Sequence, residues 1–181
     1  MGAKHSHLPD IRMPAINFQA WIQENQHLLK PPVGNKEIFV DAGDFIVMVV
    51  GGPNRRLDYH DDPREEFFHQ VKGNMFLELM TPDGPKQQWV REGDMFLLPA
   101  HVRHSPQRPE EGSIGIVVEL KRQPEEIDGF EWYCGACGTL LHRVEVSLKD
   151  IVKDLPPLYD AFHNSTEKRT CPECGTLHPG K

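Results

Sequence analysis

Hydrophobic residues near the N-terminus recur at mixed three- and four-residue intervals, the spacing of one face of a helix. They are Ile16, Phe18, Trp21, Ile22, Leu28 and Leu29. Because Asn is a preferred N-cap residue, the pattern predicts a short amphipathic helix that begins near Asn17. Pro31 and Pro32 follow the last apolar pair and should end this helix.

Between Glu37 and Leu120 the pattern changes to short runs rich in β-branched and aromatic residues, separated by turn residues. The runs are Phe45 to Val50, Met75 to Leu79, Gln88 to Val90, Met95 to Leu98 and Ile114 to Leu120. Pro82 to Gly84 and Glu92 to Asp94 are typical of tight turns. Because no helical pattern of 10 to 15 residues intervenes to connect parallel strands, we predict an antiparallel sandwich or barrel and disfavour a doubly wound fold.

Beyond Pro124 the composition changes again, to two cysteine pairs on either side of a mixed segment from Val144 to Phe162. This segment predicts a helix interrupted around Pro156 and Pro157. We place a boundary near residues 123 to 130. The predicted organisation is a polar leader over residues 1–12, a β domain over 13–123 and a small cysteine-containing module over 124–181.

Composition and charge exclude several classes of protein. With 181 residues, 38% of them hydrophobic, the chain can bury a core. Its 20 Lys and Arg against 27 Asp and Glu give a net charge of −7, which opposes nucleic acid and anionic membrane partners. No apolar run reaches the roughly 18 residues that span a bilayer, and residues 1–12 lack the apolar stretch of a signal peptide. We therefore expect a cytoplasmic protein whose cysteines are reduced.

The four cysteines form a repeat, Cys-x-x-Cys-Gly-Thr-Leu, which occurs at residues 134–140 and 171–177. Two such turns supply the four thiolates that a tetrahedral zinc or iron ion requires, so Cys134, Cys137, Cys171 and Cys174 are predicted to share one structural metal. The alternatives are two disulfides, which the compartment disfavours, or a redox pair, which would require a βαβ unit. A site with four protein ligands has no open position, so we expect it to stabilise folding rather than to catalyse.

A second group of ligand-type residues lies in the β region, where His60 to Glu66 precede His101 to His104 by about forty residues. Two imidazoles and one carboxylate on one face of a metal form the triad of non-heme Fe(II) oxygenases, with positions left open for substrate and O₂. A histidine buried for purely structural reasons is the competing interpretation for either residue alone. Alternation along a strand places Glu65 and Glu66 on opposite faces.

The spacings Gly52-x7-His60-x-Asp62-x3-Glu66-x6-Gly73 and Gly93-x5-Pro99-x-His101-x2-His104 resemble the two motifs of the cupin superfamily. This resemblance implies a double-stranded β-helix barrel. The sequence departs from the cupin pattern at Asp62, where a second histidine is common, and at His101, where glycine is usual. The implied metal ligands are then His60, Glu66 and His104.

A closer resemblance, over all but about the first dozen residues, is to the 3-hydroxyanthranilate 3,4-dioxygenase family, in the form that carries an appended rubredoxin-like four-cysteine module. The matching segments are 28–33, 50–54, 58–60, 65–68, 104–108 and 129–134, together with the second cysteine pair. The resemblance implies Fe(II) held by His60, Glu66 and His104, and a substrate pocket lined by Arg56, Arg108 and Glu119. It also implies a homodimer.

The chemistry implied by the resemblance is the opening of an aromatic ring by O₂, between carbons 3 and 4, to give 2-amino-3-carboxymuconate semialdehyde, which closes to quinolinate. Arg56 and Arg108, which alone would be taken as surface residues, suit the carboxylate of an aromatic acid. Glu119 would accept a proton from the substrate. The alternatives are another cupin dioxygenase, acting on a thiol, flavonol or different aminophenol, and a zinc-ribbon adaptor without enzymatic activity.

Overall fold

The computed structural model describes residues 13–30, 34–149 and 151–180, so the predicted leader lies outside the described residues. Within these ranges the chain forms eleven β-strands and three α-helices. The strands make two antiparallel sheets, which confirms the predicted all-β class.

The first sheet has five strands. In spatial order they are β1 (Asn35–Glu37), β2 (Phe45–Gly51), β9 (Ile114–Leu120), β4 (Glu66–Lys72) and β7 (Met95–Leu98). The second sheet has six, in the order β11 (Leu140–Val146), β10 (Asp128–Tyr133), β3 (Tyr59–Asp61), β8 (His104–Gln107), β5 (Met75–Thr81) and β6 (Gly84–Val90).

The main apolar core lies between the two sheets. The first sheet contributes Val50, Phe68, Leu98 and Val117, and the second contributes Met75, Leu77 and Val90. Side chains alternate between inward and outward positions, as β4 shows most clearly with its alternation of buried and half-buried residues. Burial of these side chains supplies the main stabilisation of the barrel.

The predicted N-terminal helix is α1 (Phe18–Asn25), and the side chain of Asn17 caps it by accepting a hydrogen bond from the amide of Ala20 at 3.0 Å. A single 3₁₀ turn over Gln26–Leu28 follows. The apolar face of α1 packs against Val49 and Ile114, outside the sheet. The helix ends before Pro31 and Pro32, which lie outside the described residues.

The C-terminal segment contains α2 (Ile151–His163) and α3 (Thr166–Arg169). The predicted interruption at Pro156 and Pro157 is wrong, because both prolines lie inside one continuous helix. Each proline lacks the amide hydrogen that an interior helical residue donates. Burial of the α2 side chain Phe162 against Phe130 and Trp132 outweighs this loss.

Strands β10 and β11 attach this segment to the barrel. Strand β10 pairs with β3, so that Phe130 lies opposite His60. The division of the chain near residues 123 to 130 stays a prediction. In the structure, β10 and β11 lie on the C-terminal side of this boundary and extend the sheet that carries His60.

Candidate metal centre and cavity

Three strands bring the predicted triad together. His60 lies on β3 and pairs directly with His104 on β8, while Glu66 is the first residue of β4 in the opposite sheet. One ligand atom from each of the three lies within 4.8 Å of the others, and all three residues are buried. Glu65 is exposed, as the alternation predicts. The arrangement has the donor set and the spacing that a divalent metal requires.

Glu66 and His104 are oriented towards each other. The Nδ1 atom of His104 lies 2.9 Å from the carbonyl oxygen of Val102, and its Nε2 atom lies 2.7 Å from Oε2 of Glu66. Burial alone would raise the pKa of Glu66, but the charge and the hydrogen bond of His104 lower it to about 2. Burial alone would lower the pKa of His104, and Glu66 raises it. The carboxylate is therefore held in its charged, ligating form.

His60 is held from behind by Asp128, which the sequence interpretation missed. Its Nε2 atom lies 2.7 Å from Oδ1 of Asp128, and its ring stacks on Phe130 with centroids 4.8 Å apart. Asp128 is fully buried and also accepts hydrogen bonds from Arg122. A carboxylate bonded to a histidine in this way fixes the orientation of the ring, as it does behind many metal ligands.

Arg122 connects the carboxylates next to the triad. Its Nη2 atom lies 2.6 Å from Asp62, 3.1 Å from Glu119 and 2.8 Å from Asp128. Asp62 occupies the position where cupins commonly have a second histidine, and here its carboxylate pairs with the Arg122 guanidinium. His60, Asp62 and Asp128 also lie within 4.8 Å of one another, but both carboxylates of this group already pair with Arg122.

Glu119 lies on β9 and is buried. Burial, followed by the negative charge of Glu66, raises its pKa well above the ordinary value, and Arg122 only partly opposes this rise. A carboxylate with a raised pKa is a stronger base than that of an ordinary glutamate.

A cavity of about 440 Å³ opens beside the triad. Arg56, His60 and Glu119 line it, together with residues from both sides of the predicted domain boundary. This volume lies within the usual range for small-molecule sites. Arg56 is paired with Asp58 and also contacts Tyr159 of α2. Glu66 and His104 are not among the residues that line the cavity.

Arg108 follows β8 and is 2% exposed. Its Nε and Nη2 atoms are buried and have no hydrogen-bond partner in the described part of the chain. Burial lowers the pKa of Arg108 to about 10, an effect that Glu66 partly opposes and Arg56 reinforces. Arg108 does not line the cavity. Burial of a guanidinium without a partner costs free energy. The missing partner indicates an anion that the chain itself does not supply.

His101 is separate from this centre. It is exposed, and its backbone has a φ of 64°, in the left-handed region that glycine favours. The side chain lies 3.1 Å from Asp61, on the outer side of the second sheet.

The four cysteines converge at a second centre. The Sγ atoms of Cys134 and Cys174 are 3.6 Å apart, and those of Cys137 and Cys171 are 3.5 Å apart. These separations are far longer than a disulfide bond, and all four residues are free cysteines. Gly138 and Gly175 have φ values of 76° and 73°, which give the two turns the same left-handed conformation. The arrangement suits one tetrahedral metal ion.

Comparisons with known proteins give consistent matches. The family model described as 3-hydroxyanthranilic acid dioxygenase matches residues 11–163. The 3-hydroxyanthranilate 3,4-dioxygenase of Burkholderia cenocepacia is 62% identical over 166 residues, which are 92% of this chain and 93% of that protein. The enzyme of the same name from Ruegeria pomeroyi is 59% identical over 170 residues, 94% of each chain.

Among solved structures, a cupin-2 domain-containing protein from Shewanella frigidimarina matches with a TM-score of 0.46 and 17% identity, over 58% of this chain and 93% of that one. Within the described residues, no helix is both long and apolar enough to cross a membrane.

Proposed function

The chain belongs to the 3-hydroxyanthranilic acid dioxygenase family, and we propose that it opens the ring of 3-hydroxyanthranilate with O₂ to give 2-amino-3-carboxymuconate semialdehyde. The observation that carries this proposal is the convergence of two histidines and one glutamate beside a cavity of suitable size. A zinc-ribbon adaptor would not need this buried triad.

We propose that His60, Glu66 and His104 hold Fe(II). The ferrous ion, when bound, supplies the place where the hydroxyl and amino groups of the substrate meet O₂. The protein orients the ligands for this purpose: the Val102 carbonyl fixes one imidazole and Asp128 fixes the other.

The remaining residues bind the substrate and accept its proton. Arg56 and Arg108 are proposed to take the carboxylate of the substrate, because a guanidinium binds a carboxylate with two parallel hydrogen bonds. Glu119 is proposed to accept the proton of the phenol, because a raised pKa makes its carboxylate a stronger base than that of an ordinary glutamate. Arg122 holds Glu119 in place through the contact at 3.1 Å.

Anaerobic reconstitution with Fe(II), followed by 3-hydroxyanthranilate and O₂, tests this function. We expect one O₂ consumed per substrate and a new absorbance from the semialdehyde. A panel containing a thiol, a flavonol and a different aminophenol serves as the control. Oxygen uptake with a member of this panel and none with 3-hydroxyanthranilate would assign the chain to another cupin reaction.

For the second centre we propose a structural iron or zinc ion held by Cys134, Cys137, Cys171 and Cys174. The reduced thiols that such a site needs also support a cytoplasmic location. Cys134→Ser should lower the metal content by one equivalent and the melting temperature by about 10 °C or more, because metal binding there contributes to folding. Metal analysis and thermal unfolding measure both. An unchanged melting temperature in a variant that has lost this metal would contradict a structural role.

We also propose that the chain forms a homodimer through the outer face of the first sheet. Phe45, Met95 and Leu97 are each more than half exposed on this face, where Phe67 pairs with both Leu97 and Val118. An apolar patch of this kind is typical of an interface. Leu97→Glu should convert a particle of twice the chain mass into a monomer in light scattering. Leu28→Glu, an exposed leucine elsewhere, should leave the dimer intact, and a Leu97→Glu dimer would refute this interface.

A further inference from the structure

We propose that Tyr159 is a positioning residue for Arg56, by which the segment between the two cysteine pairs contributes to substrate affinity. The inference deepens the proposed function and rests on it, since it concerns how the carboxylate of the substrate is bound. It assigns a role in the substrate site to a residue that lies 36 positions beyond the end of the predicted β domain at residue 123.

The contacts of the Tyr159 hydroxyl carry the proposal. The hydroxyl accepts a hydrogen bond from Nη2 of Arg56 at 3.1 Å and donates one to Oδ2 of Asp58 at 3.0 Å. Asp58 in turn accepts a hydrogen bond from Nε of Arg56 at 3.3 Å and pairs with Nη2. Three side chains from two distant parts of the chain thus form a closed hydrogen-bonded ring.

This ring determines which N–H groups of the Arg56 guanidinium remain unpaired. The Nε and Nη2 atoms of Arg56 are engaged with Asp58 and Tyr159, whereas Nη1 has no hydrogen-bond partner in the part of the chain that the structure describes. The two N–H groups of Nη1 therefore remain for a carboxylate oxygen. Burial raises the pKa of Tyr159 above its ordinary value, so the phenol keeps the proton that it donates to Asp58.

Helix α2 holds Tyr159 in this position by aromatic packing. The Tyr159 ring meets Phe130 and Trp132 edge-on, with centroids 5.8 and 5.7 Å apart. One turn later, Phe162 is fully buried and stacks on Trp132 at 4.5 Å. Phe130 itself stacks on the proposed ligand His60. A displacement of α2 would therefore also move Arg56 and the residues at the edge of the metal centre.

The cysteine centre fixes both ends of this segment. Strand β11 and helix α2 lie between the two cysteine pairs, whose Sγ atoms converge to about 3.5 Å. The same segment supplies Leu148, Leu155 and Tyr159 to the cavity wall. One side of the substrate cavity is therefore built from residues that the four cysteines hold in place.

Tyr159→Phe tests the proposal, because it removes the hydroxyl and keeps the packed ring. For 3-hydroxyanthranilate we expect KM to rise about tenfold and kcat to change less than about twofold, the loss expected for one hydrogen bond to a charged group. For 2-aminophenol, which lacks the carboxylate, kcat/KM should stay within about twofold of the wild-type value. Tyr133→Phe is the matched control, since Tyr133 donates to Glu131 away from the cavity.

Calorimetric titration of 3-hydroxyanthranilate into the anaerobic Fe(II) protein provides a readout independent of turnover, and Kd should rise by the same factor as KM. Equal losses for both substrates, or no loss for either, would overturn the role of Tyr159. If the wild-type protein opens neither ring, the proposed function fails instead, and the two failures are therefore distinguishable.

Discussion

His104→Ala is expected to abolish both iron binding at the triad and ring opening. His104 is 1% exposed, and its Nε2 atom lies 2.7 Å from Glu66, so alanine removes a proposed ligand and leaves a buried carboxylate without its partner. The loss of activity should exceed the roughly 10- to 100-fold that removal of a group behind a ligand costs. Iron analysis after anaerobic reconstitution and the semialdehyde assay measure the two effects.

His69→Ala is the matched control for this prediction. His69 lies on β4 but faces away from the core, where its Nδ1 atom contacts the carbonyl oxygen of Asp94 at 3.2 Å. The iron content and turnover of the His69→Ala protein should equal those of the wild type. The metal affinity of Asp128→Asn should lie between those of His104→Ala and His69→Ala. It should be about 10- to 100-fold below that of the wild type, because Asp128 only orients His60. Normal iron and turnover in His104→Ala would remove that residue from the ligand set.

The sequence predicted β2, β5, β6, β7 and β9 wholly or in part. It missed the other six described strands, in which polar residues predominate or interrupt the apolar ones. Ile114 to Leu120 and Met95 to Leu98 are predicted within the limits that the structure has. Strands β3 and β8 are short, and their inward positions carry His60 and His104. Alternation of hydrophobic residues therefore does not predict the strands that carry these two histidines. Motif spacing located these residues instead, since the order of ligands along the chain does not depend on strand hydrophobicity.

The residues that support the site could not be predicted in this way. Asp128 is 68 positions from His60 along the chain, and Tyr159 is 101 positions from Asp58. Neither pair leaves a local signal, because the contacts arise only when β10 joins β3 and α2 packs on β10. The continuity of the predicted helix through Pro156 and Pro157 was missed for the same reason: local propensity opposes it, and tertiary packing stabilises it.

Replacing Arg108 by methionine should weaken substrate binding and stabilise the substrate-free protein at the same time. Arg108 is buried with Nε and Nη2 unpaired within the described residues, and burial lowers its pKa to about 10. Methionine removes this buried charge and fills a similar volume, so the free energy of unfolding should rise by about 1 to 3 kcal/mol. The guanidinium that would pair with the carboxylate is lost, so KM should rise about 100-fold.

The two effects have opposite signs, and this separates a substrate-binding arginine from a structural one. Thermal unfolding without ligand should show a higher melting temperature for Arg108→Met, whereas 3-hydroxyanthranilate should raise the melting temperature of the wild type only. Iron content should stay normal, because Arg108 is not a ligand. Arg91→Met, at an exposed arginine, should change none of these quantities. A destabilised Arg108→Met protein with unchanged KM would mean that Arg108 stabilises the fold. It would also mean that Arg108 does not bind the carboxylate of the substrate.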